Sequence, residues 1–316
     1  MRFIAAFPLV TLWASANNIV SYDGCHALRV RSEGDLPAVQ SKFSKLSYDE
    51  WERTADDITI TLSPEQIPAF NSLGLGYDVM HVRDIFGIHF WGDEGPGKPA
   101  VFFHGTVHAR EWISAPFIEY VTLQLLTGYG NDNQTTVARD SYDLCIFPFA
   151  NPDVGCQPER RFGYKGEAPG DTPEMAGLHG FIDKLRDANG IKLFIDWHSY
   201  SQYLLAPLSW NCTQYIPKLG QHVNLARRAT RAIREVEGTQ FVFGPSCATL
   251  YVATGYSIDY AYEVGKADWA YVIELRDTGN HGFVLPPEQI RGSAEEQWGG
   301  IKTILQYLDV EDIFEA

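Results

Sequence analysis

The chain has 316 residues, 45% of them apolar, with 40 acidic against 25 basic side chains and a net charge of −15 at pH 7. That is enough chain and enough apolar surface for one large domain with a sizeable core and a smaller unit beside it. The acidity argues against nucleic acids and anionic membrane surfaces as partners, because both recruit basic patches.

Residues 1–16 read as a secretory signal peptide. Arg2 supplies the charge, Phe3 to Trp13 the apolar run, and Ala14-Ser15-Ala16 a small-residue cleavage site. Pro8 and the short length argue against a membrane span. Secretion puts the five cysteines in an oxidising compartment, and the odd number leaves at least one thiol unpaired within the chain. In that compartment Asn133-Gln134-Thr135 and Asn211-Cys212-Thr213 are glycosylation sequons, with Asn133 and Asn211 as acceptors.

Residues 17–85 read as a small α+β unit. Ala27 to Arg31 and Asp57 to Leu62 alternate as half-buried strands do, and Ser63 is placed to cap a short helix over 64–73. From residue 86 to the end, strands and helices alternate. Ile88 to Trp91, Ala100 to Phe103, Tyr142 to Phe149, Ile191 to Trp197 and Trp269 to Leu275 are apolar runs of strand length. Between them lie amphipathic helices: one capped by Ser114 with Phe117, Val121 and Leu125 inward, one opening at Pro173 and stopped by Gly190, and one over 221–236. A last helix carries Ser293 and Glu296 as a capping box. The pattern predicts an α/β domain, a mixed and mostly parallel sheet with helices on both sides.

Three of the predicted strands end in groups that suit hydrolysis. The first delivers His108 and Glu111 onto the turn before a helix, the second His198, the third Glu274. Parallel strands end on a common edge, where ligands bind in open α/β sheets. Two imidazoles and a carboxylate suit Zn²⁺ with a fourth position left open, which is the catalytic rather than the structural arrangement. Glu274 closes an otherwise apolar strand, so its carboxylate needs a partner or a role. The role would be general base; the partner would be Arg276. His104, four residues before His108, is on a strand and reads as structural.

His108-Ala109-Arg110-Glu111-Trp112-Ile113, His198-Ser199-Tyr200-Ser201-Gln202, Tyr251 with Gly255 to Asp259, and Glu274-Leu275-Arg276-Asp277-Thr278-Gly279 together resemble the zinc carboxypeptidases of the A/B family, in particular its secreted fungal members. The resemblance implies one zinc held by His108, Glu111 and His198. Glu274 would take a proton from water and later give it to the leaving amine. Tyr251 would close over the substrate's terminal carboxylate, Arg110, Ser199 and Tyr200 would line neighbouring subsites, and Ile258 would favour hydrophobic C-terminal residues. Burying one such side chain supplies roughly 1.5–3 kcal/mol of discrimination. The resemblance also implies a Cys212–Cys247 disulfide, a monomer acting on peptide C-termini, and a zymogen whose 17–85 unit is an activation pro-domain that inhibits the enzyme until cleaved.

The chain departs from the family in two places. After Asn151-Pro152-Asp153 the family carries an arginine that polarises the scissile carbonyl and an Asn-Arg pair that clamps the terminal carboxylate. Here Val154 to Arg161 runs almost directly into Gly166 to Asp171, several tens of residues too soon, and neither Arg160 nor Arg161 lies in a matching motif. A second shortfall lies near Asp84 to Gly87. Loss of a preorganised donor to a developing oxyanion typically lowers the rate by about 10²–10³. Three readings follow: a working carboxypeptidase on a shortened scaffold, a zinc-binding relative with little or no activity, or a sequence lacking segments that the full gene product carries.

Overall fold

The computed structural model describes residues 5–8, 26–32, 35–46, 48–53, 56–62, 64–80, 86–151 and 173–310. Most of the signal-peptide segment, Ser63, Cys25, Cys156, Arg160 and Arg161, and the shortened stretch from Pro152 to Thr172 lie outside these residues. The chain divides into two compact units, Met1–Leu9 with Ile85–Asn151 and Gly177–Ala316 in one, Val10–Asp84 with Pro152–Ala176 in the other.

Within the segment read as a signal peptide, Ala5–Pro8 forms a strand, β1. In the small unit, β2 (His26–Arg31), β3 (Asp49–Arg53), β4 (Asp57–Leu62) and β5 (Tyr77–Met80) form an antiparallel sheet in the order β3-β4-β2-β5. Helices α1 (Leu36–Lys42) and α2 (Ile67–Asn71) accompany it. Alternation along β2 and β4 puts Leu28, Val30, Ile58, Ile60 and Leu62 inward, where they pack with Val39, Phe43 and Phe70.

The large unit is built on an eight-stranded sheet. Its further strands are β6 (Phe86–Phe90), β7 (Ala100–Gly105), β8 (Asp143–Phe147), β9 (Ile191–Ser199), β10 (Tyr203–Ala206), β11 (Val242–Pro245) and β12 (Trp269–Leu275). The order is β1-β6-β8-β7-β9-β12-β10-β11. Strands β8, β7, β9 and β12 run parallel side by side at the centre; β6 and β1 on one side and β10 on the other join antiparallel, and β11 pairs parallel with β10 at the far edge. These central strands are buried almost throughout and largely apolar because both faces are covered, with a few polar groups near the strand ends.

Side chains alternate along the central strands and so define two faces. Val101, Phe103, Leu193, Ile195, Trp197, Tyr271, Ile273 and Leu275 join the main core, with residues of α3 (Ser114–Gly128), α4 (Asn133–Ser141), α6 (Leu219–Glu237) and α9 (Pro287–Tyr307). Trp197 anchors this side, its ring 5.0 Å from those of Phe103 and Phe117. Phe102 and Phe194 point the other way, towards Phe181 of α5 (Pro173–Ala188). The helix α8 (Ser257–Glu263) packs on β9 and β12. Gly105 lets β7 end close under α3: a Cβ there would lie 2.7 Å from Ile118 Cδ1 and 3.1 Å from the Trp197 carbonyl.

Three local expectations are corrected. Ser114 is the first residue of α3, not its cap; its hydroxyl donates to the Glu111 carbonyl and accepts the Thr106 N–H. The last helix begins at Pro287, so Ser293 and Glu296 lie in its interior and form no capping box. There Glu296 pairs with Arg276, which therefore is not the partner of Glu274. A mid-helix carboxylate answering a distant arginine carries no local sequence signature. No helix among the described residues is long and apolar enough to cross a membrane.

Candidate metal centre and active site

The adjacent strands β7, β9 and β12 carry His104, Asp196, His198 and Glu274 on one face. In the ladders His104 lies opposite Asp196, and His198 opposite Glu274. The face is the one that also holds Phe102 and Phe194, by strict alternation from them. Beyond β7 the chain turns at Thr106, whose φ is +58°, and brings His108 and Glu111 back over the strand ends.

His108, Glu111 and His198 meet. Nδ1 of His108 lies 2.7 Å from Oε1 of Glu111, Nδ1 of His198 2.9 Å from Oε2, and the two Nδ1 atoms are 3.1 Å apart. The Ser199 N–H donates to Glu111 Oε2 at 3.2 Å. One donor atom from each of the three residues fits within 4.8 Å of the others. Two donors at ordinary zinc distances on a tetrahedral ion stand about 3.3 Å apart; the donors here are a few tenths of an ångström closer, and a small outward shift of this imidazole–imidazole–carboxylate set would accommodate Zn²⁺, whose preferred ligands these are. Glu111 and His198 are buried, whereas the His108 side chain is 55% exposed, which opens the site to solvent on one side.

The charges are strongly coupled. Burial alone would raise the Glu111 carboxyl, but His198 and His108 outweigh it and bring it down to about 2. Burial pushes Glu274 up to about 7; His198 offsets part of this, while Glu111 and Asp196 add to it. Glu274 is thus a carboxylate beside the donor set that can hold or release a proton near neutrality.

The remaining residues singled out in the sequence fall around this centre or away from it. The Arg110 guanidinium lies 4.1 Å from the ring centre of Phe283, and Tyr200 meets the same ring edge-on at 5.0 Å. Tyr251 is exposed, and its phenol faces that of Tyr256. Ile258 is fully buried on α8. Cys212 and Cys247 are joined by a disulfide that ties the 209–213 loop to the helix α7 (Ser246–Thr249), two residues before Tyr251. Cys145 is a buried free thiol that burial raises to about 12, so it is chemically quiet. Asn133 opens α4, and Asn211 accepts from both the N–H and the hydroxyl of Thr213.

Sequence reasoning missed Asp196, Ser257, Tyr256 and Phe283. Asp196 had a signal: like Glu274, it is a lone carboxylate in an apolar strand, two residues from a histidine. His104 is buried beside Asp196 at 3.4 Å and takes no place in the donor set, in line with a structural role.

The sequence pattern of the zinc carboxypeptidase family matches residues 73–157 and 158–300. The chain belongs to the zinc carboxypeptidase family. It is 38% identical over 267 residues to a metallocarboxypeptidase A-like protein of Trichophyton verrucosum, covering 72% of this chain and 62% of that one. It is 35% identical to metallocarboxypeptidase A of Trichophyton tonsurans over 71% of this chain and 63% of that one. With carboxypeptidase A4 of Mus musculus it shares 32% identity, over 72% of this chain and 62% of the relative. The zinc carboxypeptidase chain thus spans a little over three-fifths of the length of these relatives. Among solved structures, thrombin-activatable fibrinolysis inhibitor has a TM-score of 0.64 at 18% identity, over 90% of this chain and 98% of that one. Carboxypeptidase A from Helicoverpa armigera has a TM-score of 0.59 at 17% identity, over 92% and 99%. Both share the fold.

Proposed function

We propose that this protein is a secreted, zinc-dependent carboxypeptidase that releases hydrophobic C-terminal residues and is made as a zymogen. The observation that carries the reading is the meeting of His108 and Glu111, from the turn after β7, with His198 of β9, and Glu274 of β12 opposite His198. Membership of the family supports zinc as the ion.

When bound, zinc would lower the pKa of a water molecule and polarise a peptide carbonyl. The chain's own residues would do the rest. Glu274 takes the water's proton on its carboxylate and delivers it to the nitrogen of the leaving residue. Its raised pKa suits both directions of that transfer. Tyr251, exposed on its loop, would close over the terminal carboxylate, and Arg110, Tyr200 and Phe283, which pack together, would line the subsites for the preceding residues. Ile258, apolar and buried, suits a pocket for an aromatic or aliphatic side chain. Removal of residues 1–16 and cleavage after the 17–85 unit would complete maturation, with peptide C-termini as substrates, the 17–85 unit as the internal inhibitor and a monomer as the working form.

A second reading has its own support. The chain is short relative to its family, and Val154 is followed within a dozen residues by Gly166 without an Asn-Arg pair. Without a bidentate clamp for the terminal carboxylate, the protein would bind zinc and turn over peptides poorly. One experiment separates the two: release of C-terminal phenylalanine from an N-blocked dipeptide by the zinc-loaded full chain, with and without a chelator. The first reading expects chelator-sensitive release that Glu274→Gln lowers by about 10²–10⁴-fold while zinc stays bound. Stoichiometric zinc with no chelator-sensitive release leaves the second.

A further inference from the structure

We propose that Asp196 is a positioning residue for the metal centre, holding the Nε2–H of His198 so that the ring's Nδ1 lone pair faces the site shared with His108 and Glu111. The proposal rests on the reading that these three residues bind the ion.

Strand alternation makes the arrangement possible. Asp196 and His198 are two residues apart on β9 and so share a face, where one carboxylate oxygen, Oδ2, lies 2.9 Å from His198 Nε2. The opposite ring nitrogen, Nδ1, lies 2.9 Å from Glu111. An imidazole is a metal ligand only when neutral, and then just one of its nitrogens carries a lone pair. A carboxylate fixed at Nε2 puts the proton there and leaves Nδ1 as the donor.

The carboxylate is itself held. Asp196 is 1% exposed. Oδ2 also accepts a short hydrogen bond from the Ser257 hydroxyl, and Oδ1 faces His104 Nδ1 at 3.4 Å. The histidines and Ser257 thus approach Asp196 from three elements, β7, β9 and α8. Ser257 is the first residue of α8, and Ile258 is the next. The orientation of a metal ligand is therefore coupled, through one carboxylate, to the helix that carries the apolar pocket residue. His108 is placed differently: its ring is more than half exposed, so His198 is the ligand whose orientation the interior dictates.

The test uses the full chain and three variants, Asp196→Asn, Asp196→Ala and Ser257→Ala, each checked for wild-type far-UV circular dichroism without metal. Zinc affinity is read by competition with a chromophoric chelator, and ligand geometry by the visible absorption of the Co²⁺-substituted protein. Asp196→Asn keeps the volume and one acceptor, and is expected to weaken zinc binding by about 10-fold; Asp196→Ala approaches about 100-fold. Both change the Co²⁺ spectrum, and Ser257→Ala shifts it in the same direction by less, with the carboxylate still in place. That graded order distinguishes positioning from simple loss of folding. Wild-type zinc affinity and an unchanged Co²⁺ spectrum in the folded variants overturn the proposal. Failure of the wild-type chain to bind one equivalent of zinc overturns the metal-site reading instead.

Discussion

His222 is fully buried on α6, its ring 4.8 Å from that of Trp269 and 5.6 Å from that of Tyr271. Its Nδ1 lies 3.1 Å from the Lys218 carbonyl, but burial dominates and brings the imidazole down to about 4. The folded pKa is below the unfolded value of about 6.5, so the unfolded chain binds more protons between the two. The contribution to stability is whole above pH 6.5 and is lost as the pH falls towards 4. A shift of that size corresponds to about 3 kcal/mol. Urea midpoints measured from pH 7 to pH 4 should fall, and His222→Phe, which cannot charge, should flatten that slope. An equal slope in both proteins would show that another group governs acid stability. Glu274 and Glu296 illustrate the opposite case, in which a buried carboxylate is explained by where it points. Glu296 answers Arg276 across the unit, and Glu274, freed from that partner, stands beside the donor set.

At the level of elements, the site depends on how β7 ends. The strand is apolar as far as Phe103, but the chain must then turn sharply to bring His108 and Glu111 back over the sheet. Gly105 permits this because α3 and the tip of β9 leave no room for a Cβ. Gly105→Ala is expected to cost about 1–3 kcal/mol by overpacking against Ile118 and Ser114. It should also weaken zinc binding, since Ser114 fixes the Glu111 carbonyl and the Thr106 N–H. Denaturant unfolding and chelator competition on one sample measure the two effects, and a wild-type result in both would show that the strand end has slack.

For the whole molecule, the α/β architecture was legible because the central strands are long apolar runs and the helices have clean buried faces. Leu225, Ala229 and Ile233 of α6 are all buried, as their spacing requires. The meeting of His108, Glu111 and His198 was legible because parallel strands share an edge. What escaped was short or non-local. Strands β10 and β11 are four residues each, too short to set a period, and the Asp196–Ser257 bond joins residues 61 apart. The composition of residues 5–8 is that of a signal peptide, yet Ala5–Pro8 pairs with β6 at the edge of the sheet. Under the secreted reading this strand is removed, and mass spectrometry of protein recovered from the medium should give Asn17 as the first residue. An intact N-terminus would make β1 a lasting part of the fold.

The central claim is that residues far apart in the chain close on a single ion. X-ray absorption at the zinc edge, on the full chain loaded with one equivalent, tests this directly. The account expects two imidazole nitrogens and a carboxylate oxygen at about 2.0–2.2 Å. A sulfur neighbour at about 2.3 Å, or scattering from one imidazole only, would contradict it.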